Sequence, residues 1–143
     1  MWTSPPFAYR PDEHESEKAS NSYLMSVIAV MAGLPFPVIN LAATAFFFFA
    51  NRRERYFVRW HCTQALVSQA AFIAMNLPGV WWTASIVFGP ASVTNLYLSY
   101  ILTIVIFNIL EFIATVHSAV ATRKGRHVEW WVFGPITNAI VKR

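Results

Sequence analysis

Apolar residues fall into four stretches of the chain, separated by two basic turns and by a charge-free connection over 78–95 that contains Gly89 and Pro90. The stretches cover residues 22–50, 60–77, 96–122 and 128–141, and the first three together contain one formal charge, Glu111. A hydrocarbon core about 30 Å thick takes about 20 helical residues to cross. The pattern therefore predicts an all-α integral membrane protein, a small helical bundle of three to four transmembrane segments.

The first and last stretches allow more than one interpretation. Residues 22–50 are too short to cross twice, and Pro35 and Pro37 remove amide donors inside the stretch. We expect one Pro-kinked span here, with a half-helix that re-enters as the second possibility. Residues 128–141 are too short to cross comfortably and contain Gly134-Pro135, so we expect a short C-terminal interfacial or re-entrant segment.

The two middle stretches are simpler. The helix over 60–77 should end at Pro78-Gly79, with Trp81-Trp82 at the membrane interface, and the helix over 96–122 is the clearest span. Residues 1–21 are polar and Pro-bearing and lack the pattern of a secretory signal. The expected organisation is thus an extramembrane arm over 1–21 and a transmembrane helical domain over 22–143.

Composition and charge agree with a membrane location. The chain is 56% hydrophobic and 13% charged, where a soluble domain carries about 25% charge. Four arginines lie in the turn at 51–59 and three basic residues in the turn at 123–126, which predicts that both turns are cytoplasmic. Because the net charge of +4 lies at the ends of apolar segments, we expect contact with lipid headgroups and no nucleic-acid partner.

One helical face of the third span carries polar side chains at steps of three and four, namely Asn108, Glu111, Thr115 and Ser118. Glu111 precedes Arg123 by about 18 Å of helix, which is close to the bilayer midplane. A carboxyl at this depth has to be protonated, paired or facing water. Gln69 lies at a similar depth in the second span. Two interpretations stay open, a hydrogen-bonded structural contact and a polar lining for transport or gating.

Few residues have the spacing that catalysis or cofactor binding needs. His61 and His117 lie near the cytoplasmic ends of two spans, and a pair of this kind can ligate haem or line a quinone pocket. Their depths differ, however, and no attachment motif accompanies them. With no nucleophile elbow, phosphate loop or zinc spacing, and with Cys62 as the single cysteine, we expect no catalytic residues, no metal site and no cofactor.

The string from Arg55 to Leu66, Arg-Tyr-Phe-Val-Arg-Trp-His-Cys-Thr-Gln-Ala-Leu, resembles the signature of a known group of proteins. These are bacterial membrane proteins related to the twenty-kilodalton subunit of the chloroplast inner-envelope (Tic) protein import translocon. The sequence Ser22-Tyr-Leu24 before two prolines, and the ending Ala121-Thr-Arg-Lys-Gly125, are similar to the same family. The resemblance implies that Arg59 and Trp60 anchor at the headgroups while His61 and Gln64 hydrogen-bond the preceding loop or a neighbouring helix.

The resemblance implies a non-enzymatic integral membrane subunit of a larger complex in a bacterial cytoplasmic (inner) membrane, one that takes part in protein translocation or insertion. Its partners would be the lipid bilayer and other membrane subunits. The alternative function is a small homo-oligomeric channel or carrier whose path is lined by the Glu111 face. An electron-transfer subunit that binds haem or quinone through the histidines is a third possibility.

Overall fold

The structure is a computed structural model that describes residues 9–31 and 37–141. This part of the chain is all-helical, as predicted, with five helices: α1 (Glu13–Met31), α2 (Pro37–Ala50), α3 (Tyr56–Phe88), α4 (Asn95–Arg123) and α5 (Phe133–Ile140). The expected kink rests on Pro35 and Pro37. Pro35 lies outside the described residues, and α2 begins at Pro37, a first-turn position that proline favours.

The first helix begins earlier than the apolar pattern predicted, at Glu13 instead of Ser22. Asp12 and Glu15 explain the start, because each side chain accepts the backbone N–H of the other, at 2.8 Å and 3.0 Å. This reciprocal arrangement is a capping box. Tyr9 adds a link to the next helices, since its Oη donates to Glu15 Oε1 at 3.0 Å and accepts the Phe57 N–H at 3.1 Å. The second half of the expected arm is therefore helical.

The start of α1 lies beside the turn that follows α2. Lys18 Nζ is 2.6 Å from Glu54 Oε1, and Arg55 Nη1 is 3.6 Å from Glu15 Oε2. Because α1 also packs along α2, the two helices run antiparallel. The end of α2 therefore lies beside the start of α1. The structure has two helices, α1 and α2, where one kinked span was expected over 22–50, and residues 32–36 between them lie outside the described part of the chain. With 14 residues, α2 is about 21 Å long, too short to cross.

The third helix continues past Pro78 to Phe88, which corrects the predicted end at Leu77. Neighbouring side chains bond to carbonyl groups around the proline: Asn76 Nδ2 donates to the Phe72 carbonyl at 2.7 Å, and Tyr100 Oη donates to the Met75 carbonyl at 2.9 Å. The carbonyl that loses its helical donor at Pro78 is that of Ala74, next to the Met75 carbonyl that Tyr100 of α4 holds. The helix therefore continues through the proline with α4 packed beside it.

Gly79 lets the two long helices approach each other. A Cβ atom at this position would lie 2.6 Å from Ile104 Cδ1, so the end of the Ile104 side chain would have to move aside. The fourth helix covers Asn95–Arg123, close to the predicted 96–122. Antiparallel packing of α3 and α4 follows from their short connection.

The described residues form two regions with different surfaces. In the base, α1, α2 and α5 surround the first turns of α3, where Phe57, Trp60 and Ala65 are buried. The outer hairpin, residues 70–114, exposes large apolar side chains along both helices, among them Val80, Leu102 and Leu110. In the described chain two helices, α3 and α4, are long and apolar enough to cross a membrane, against the three to four expected.

Replacing Asp12 by alanine tests the early start of α1. The variant loses the side-chain acceptor for the Glu15 N–H, so we expect the free energy of unfolding in detergent to fall by about 1 kcal/mol. The matched control is Glu13→Ala, one residue further on and exposed, which removes a carboxylate but no cap. Equal stability of the two variants would contradict the capping box.

Candidate functional site

Gln64 occupies the centre of the base and is completely buried. Its Oε1 accepts the Trp130 backbone N–H at 3.0 Å, and its Nε2 donates to the Val128 carbonyl at 3.1 Å. Since a backbone N–H can only donate and a carbonyl can only accept, these two bonds fix which way the amide points. Gln64 thereby joins α3 to the segment that follows α4.

The fixed amide sets the direction of a chain of hydrogen bonds. Gln64 Nε2 also donates to Tyr23 Oη at 2.7 Å, so the Tyr23 hydroxyl hydrogen is directed at His61 Nδ1, 2.8 Å away. A neutral His61 then carries its hydrogen on Nε2 and donates it to His127 Nδ1 at 3.1 Å. We call these residues the buried polar centre: Tyr23, His61, Gln64, His127, Val128 and Trp130.

His127 is the half-buried end of this chain, and aromatic rings enclose it. Its ring centroid lies 4.3 Å from that of Trp60 and 6.4 Å from that of Phe57. Burial lowers the pKa of His127 to about 4 from its ordinary value of 6.5. The neutral ring that the hydrogen-bond directions require is therefore also the form that the surroundings favour.

Two tryptophans complete the attachment of the C-terminal segment. Trp130 stacks on Tyr23 at a centroid distance of 6.1 Å, and its Nε1 donates to Ser118 Oγ on α4 at 2.6 Å. Trp60 Nε1 donates to Asn138 Oδ1 on α5 at 2.7 Å, and Asn138 in turn donates to Glu129 Oε1. The site joins α1, α3, α4 and α5 without any ion pair among these bonds.

The predicted polar face of α4 is divided between two partners. Glu111 Oε1 accepts bonds from Gln69 Nε2 at 2.8 Å and from Thr115 Oγ1 at 3.1 Å. Asn108 exchanges two hydrogen bonds with Asn76 of α3. Two turns closer to the base than Glu111, Ser118 instead accepts a bond from Trp130 Nε1. The upper part of the face thus pairs with α3 and the lower part with the C-terminal segment.

A row of polar pairs consequently joins α3 and α4 inside the outer hairpin. Gln69 with Glu111 and Asn76 with Asn108 lie nearest the base, and Thr83 Oγ1 meets Tyr97 Oη at 3.0 Å near the far end. Gln69 Oε1 is buried and has no hydrogen-bond partner among the described residues. These paired polar side chains face each other, while large apolar side chains such as Leu102 and Leu110 face outward.

The structure places the signature residues in the base. Trp60 is 1% exposed and bonded to Asn138, so its side chain is enclosed within the chain. Arg59 is half-buried, and its carbonyl accepts the Thr63 hydroxyl. His61 and Gln64 do bond a neighbouring helix, through Tyr23 of α1. They also bond the C-terminal segment, which sequence reasoning had not linked to the signature.

Sequence reasoning missed Tyr23, His127, Trp130 and Asn138 as members of the site. His127 follows a basic turn and Trp130 lies in a short apolar segment, so both had the composition of an interface region. Their partners are more than 60 residues away along the chain, a separation that no local periodicity reports.

The histidines do not form a metal site in this arrangement. The Nδ1 lone pair of His61 accepts from Tyr23, and its Nε2 carries the hydrogen donated to His127, so no lone pair remains for iron. His117 lies exposed on α4. Across the described residues, no three histidine, cysteine or carboxylate side chains are grouped so that they could hold a metal ion.

Gln64→Leu should destabilise the base strongly. The change leaves the Trp130 N–H and the Val128 carbonyl without their side-chain partner, each at a cost of about 1–3 kcal/mol, and removes the donor to the Tyr23 hydroxyl, which still bonds His61. We therefore expect a loss of at least about 2 kcal/mol. Chemical unfolding in detergent measures this loss. Thr63→Val is the matched control, because the buried Thr63 hydroxyl bonds only the Arg59 carbonyl one turn back. Similar losses in both variants would show that Gln64 is not central.

The lowered pKa of His127 predicts that the stability of the folded chain depends on pH. Its pKa is about 4 in the folded chain and 6.5 when unfolded, so the unfolded state binds more protons between these values. The contribution is therefore fully present above pH 6.5 and is lost as the pH falls towards 4, by on the order of 2 kcal/mol after allowance for the partial exposure of the ring. His127→Asn keeps a side-chain acceptor but does not titrate, so the loss of stability between pH 7 and 5 should become smaller.

His14→Asn, which removes an exposed imidazole of α1, is the control for losing a histidine. The assignment fails if the stability of His127→Asn declines with pH as steeply as that of the parent.

Comparison with protein-family models, with curated proteins and with solved structures finds no match to this chain. Its function is therefore argued from the geometry of the base and of the outer hairpin.

Proposed function

We propose that the chain is a non-enzymatic integral membrane subunit of a larger assembly, one that moves or inserts protein. The outer hairpin supports a membrane location most directly. Large apolar side chains cover its outer surface, and Phe88 at its tip is 90% exposed. An apolar surface of this extent is unusual for a water-soluble monomer and requires lipid or another protein.

The observation that carries the proposal is the use of the polar side chains inside the spans. Glu111, Gln69, Asn76 and Asn108 bond one another across α3 and α4, and the signature residues bond α1 and α5. A nucleophile or general base needs a group that is free to reach a substrate. Here the chemically useful groups hold helices together, which supports a scaffold that works through its surfaces.

The ion pairs of the base suggest a membrane topology. In this proposal α3 and α4 cross, the basic turns at 51–59 and 123–126 lie on the cytoplasmic side of a bacterial inner membrane, and α1 and α2 re-enter from that side. The contacts Lys18–Glu54 and Arg123–Glu17 support it, because they join the start of α1 to both basic turns. At about 50 Å and 43 Å, α3 and α4 exceed the thickness of the hydrocarbon core.

The residues that resemble the translocon-related family lie in the base. Trp60, His61 and Gln64 of the Arg55–Leu66 string are the side chains that join α3 to α1 and to the C-terminal segment. A motif that closes the base would be retained wherever this architecture is used, whatever cargo is handled. The resemblance thus supports the kind of assembly that we propose, and the exposed helix faces are where its other subunits would bind.

Site-directed photo-crosslinking tests the proposal. A photoreactive phenylalanine analogue at Phe112, exposed on α4, should link one defined membrane polypeptide that also co-migrates with the chain after gentle solubilisation. The same analogue at the fully buried Phe57 is the control and should link only within the chain. Crosslinks from position 112 to lipid alone, together with a monomer on native gels, would refute a subunit role.

Cysteine accessibility tests the topology separately. In a Cys62→Ser background, single cysteines at Arg10, Arg53 and Lys124 should react with a membrane-impermeant reagent from the same side, and a cysteine at Gly89 only from the other. Reaction of positions 10 and 53 from opposite sides would show that α1 and α2 together cross once. The labelling does not depend on which partner the assembly contains.

A second function, a small homo-oligomeric channel or carrier, is favoured by one observation. Gln69 presents a buried carbonyl oxygen without a hydrogen-bond partner in the described chain, directly beside the half-buried Glu111 carboxyl. Polar oxygens of this kind line paths for ions or protons. Ion or proton flux into proteoliposomes, compared between the parent and Glu111→Gln, decides this point, and equal flux would remove the alternative.

A further inference from the structure

The base has more positive charge than its own carboxylates neutralise. Glu54, Glu15 and Glu17 are bound to Lys18, Arg55 and Arg123, respectively. Four further cations are exposed and form no ion pair with any carboxylate in the described part of the chain: Arg52, Arg53, Lys124 and Arg126. Two of them lie in each basic turn.

The first two turns of α1 hold these cations at one end of the molecule. Glu15 and Lys18 contact the turn at 51–55, and Glu17 contacts the end of α4. Gly125, between the two cations of the second turn, adopts a φ of +70° and lies against Ser16 of α1. Both turns are therefore braced on the same helix, and the unpaired charges lie together instead of at opposite ends.

Exposed apolar side chains lie next to this charge. The connection that leads from Lys124 into α5 presents Trp131, which is 91% exposed, and Val132, and α5 adds Ile136 and Ile140. The opposite side of α5 is fixed to α3 through Asn138 and Trp60. An amphipathic segment of this type, fixed at the end of the bundle and flanked by cations, has the chemistry of an element that lies in the membrane interface.

We propose that the base binds anionic phospholipid headgroups through Arg52, Arg53, Lys124 and Arg126, with the acyl chains packed on the exposed side chains of α5 and its connection. The inference rests on the membrane location proposed above. A phospholipid fits because it offers a phosphate and a hydrocarbon chain at neighbouring depths, which matches a row of cations beside an apolar surface. A nucleic acid would match the charge only.

Native mass spectrometry of the purified full-length chain tests the proposal. In non-ionic detergent with equal amounts of phosphatidylglycerol and phosphatidylcholine of the same acyl chains, the parent should retain the anionic lipid at least about tenfold in excess. Each neutralised cation near such headgroups should weaken retention by up to about fivefold. Arg52→Gln, Arg53→Gln, Lys124→Gln and Arg126→Gln combined should bring the ratio of the two lipids close to one.

A charge-retaining variant is the matched control. Arg52→Lys, Arg53→Lys and Arg126→Lys combined should keep the preference, because the positive charges remain, and Trp131→Ser should lower retention of both lipids while the ratio stays above one. All altered side chains are exposed, so circular dichroism should report an unchanged fold.

Three results would overturn the inference: equal retention of both lipids by the parent, an undiminished preference in the fourfold glutamine variant, or displacement of the anionic lipid by inorganic phosphate or by polyglutamate at matched charge. Phosphate would point to a free-anion site and polyglutamate to an acidic protein partner. Because no other subunit is present, failure here leaves the crosslinking test of the subunit proposal unaffected, and the reverse also holds.

Discussion

The base depends on one buried amide. Gln64 has no access to water, so each of its polar atoms has to find a partner within the chain. It finds them in the backbone at Val128 and Trp130 and in the hydroxyl of Tyr23. Because backbone groups cannot exchange donor and acceptor roles, the orientation passes from Gln64 to Tyr23, His61 and His127. A single side chain thereby determines the hydrogen positions of a network that joins α1, α3 and the C-terminal segment.

The base and the outer hairpin satisfy the hydrogen-bonding groups of their polar side chains in different ways. In the base, polar side chains are enclosed by helices and by aromatic rings such as Trp60 and Trp130. In the outer hairpin, pairs such as Asn76 with Asn108 face each other, and the outer surface is left to apolar side chains. Interhelical hydrogen bonds between such pairs are a modest but recurring source of helix association in lipid. Gly79 complements them because it allows close contact with Ile104.

The parts of the fold that sequence could predict are those set by uniform patterns. The long apolar run over 96–122 predicted a helix whose ends lie close to the observed Asn95 and Arg123, and the depth calculation placed Gln69 at a depth similar to that of Glu111, which it contacts. The predicted end of α3 at Leu77 was wrong because it rested on Pro78 alone. The contact that accompanies the continuous helix, from Tyr100 to the nearby Met75 carbonyl, comes from another helix, and the local sequence does not report it. The spacing of Asp12 and Glu15 is that of a capping box, which predicts a helix start at this point. The start was instead predicted from the apolar pattern, which begins at Ser22.

The order of elements along the chain has a consequence for how the protein is made. The backbone groups that satisfy Gln64 belong to residues 128 and 130, which leave the ribosome only after α3 and α4. A nascent chain that has inserted its long helices still carries an open base, in which Tyr23 and Gln64 lack the stacking and backbone bonds that Trp130 supplies later. The base can therefore close only after the segment that follows α4 has been made. A chain that lacks residues 128–130 would leave Gln64 buried without its two backbone partners, which is the most costly state for an amide.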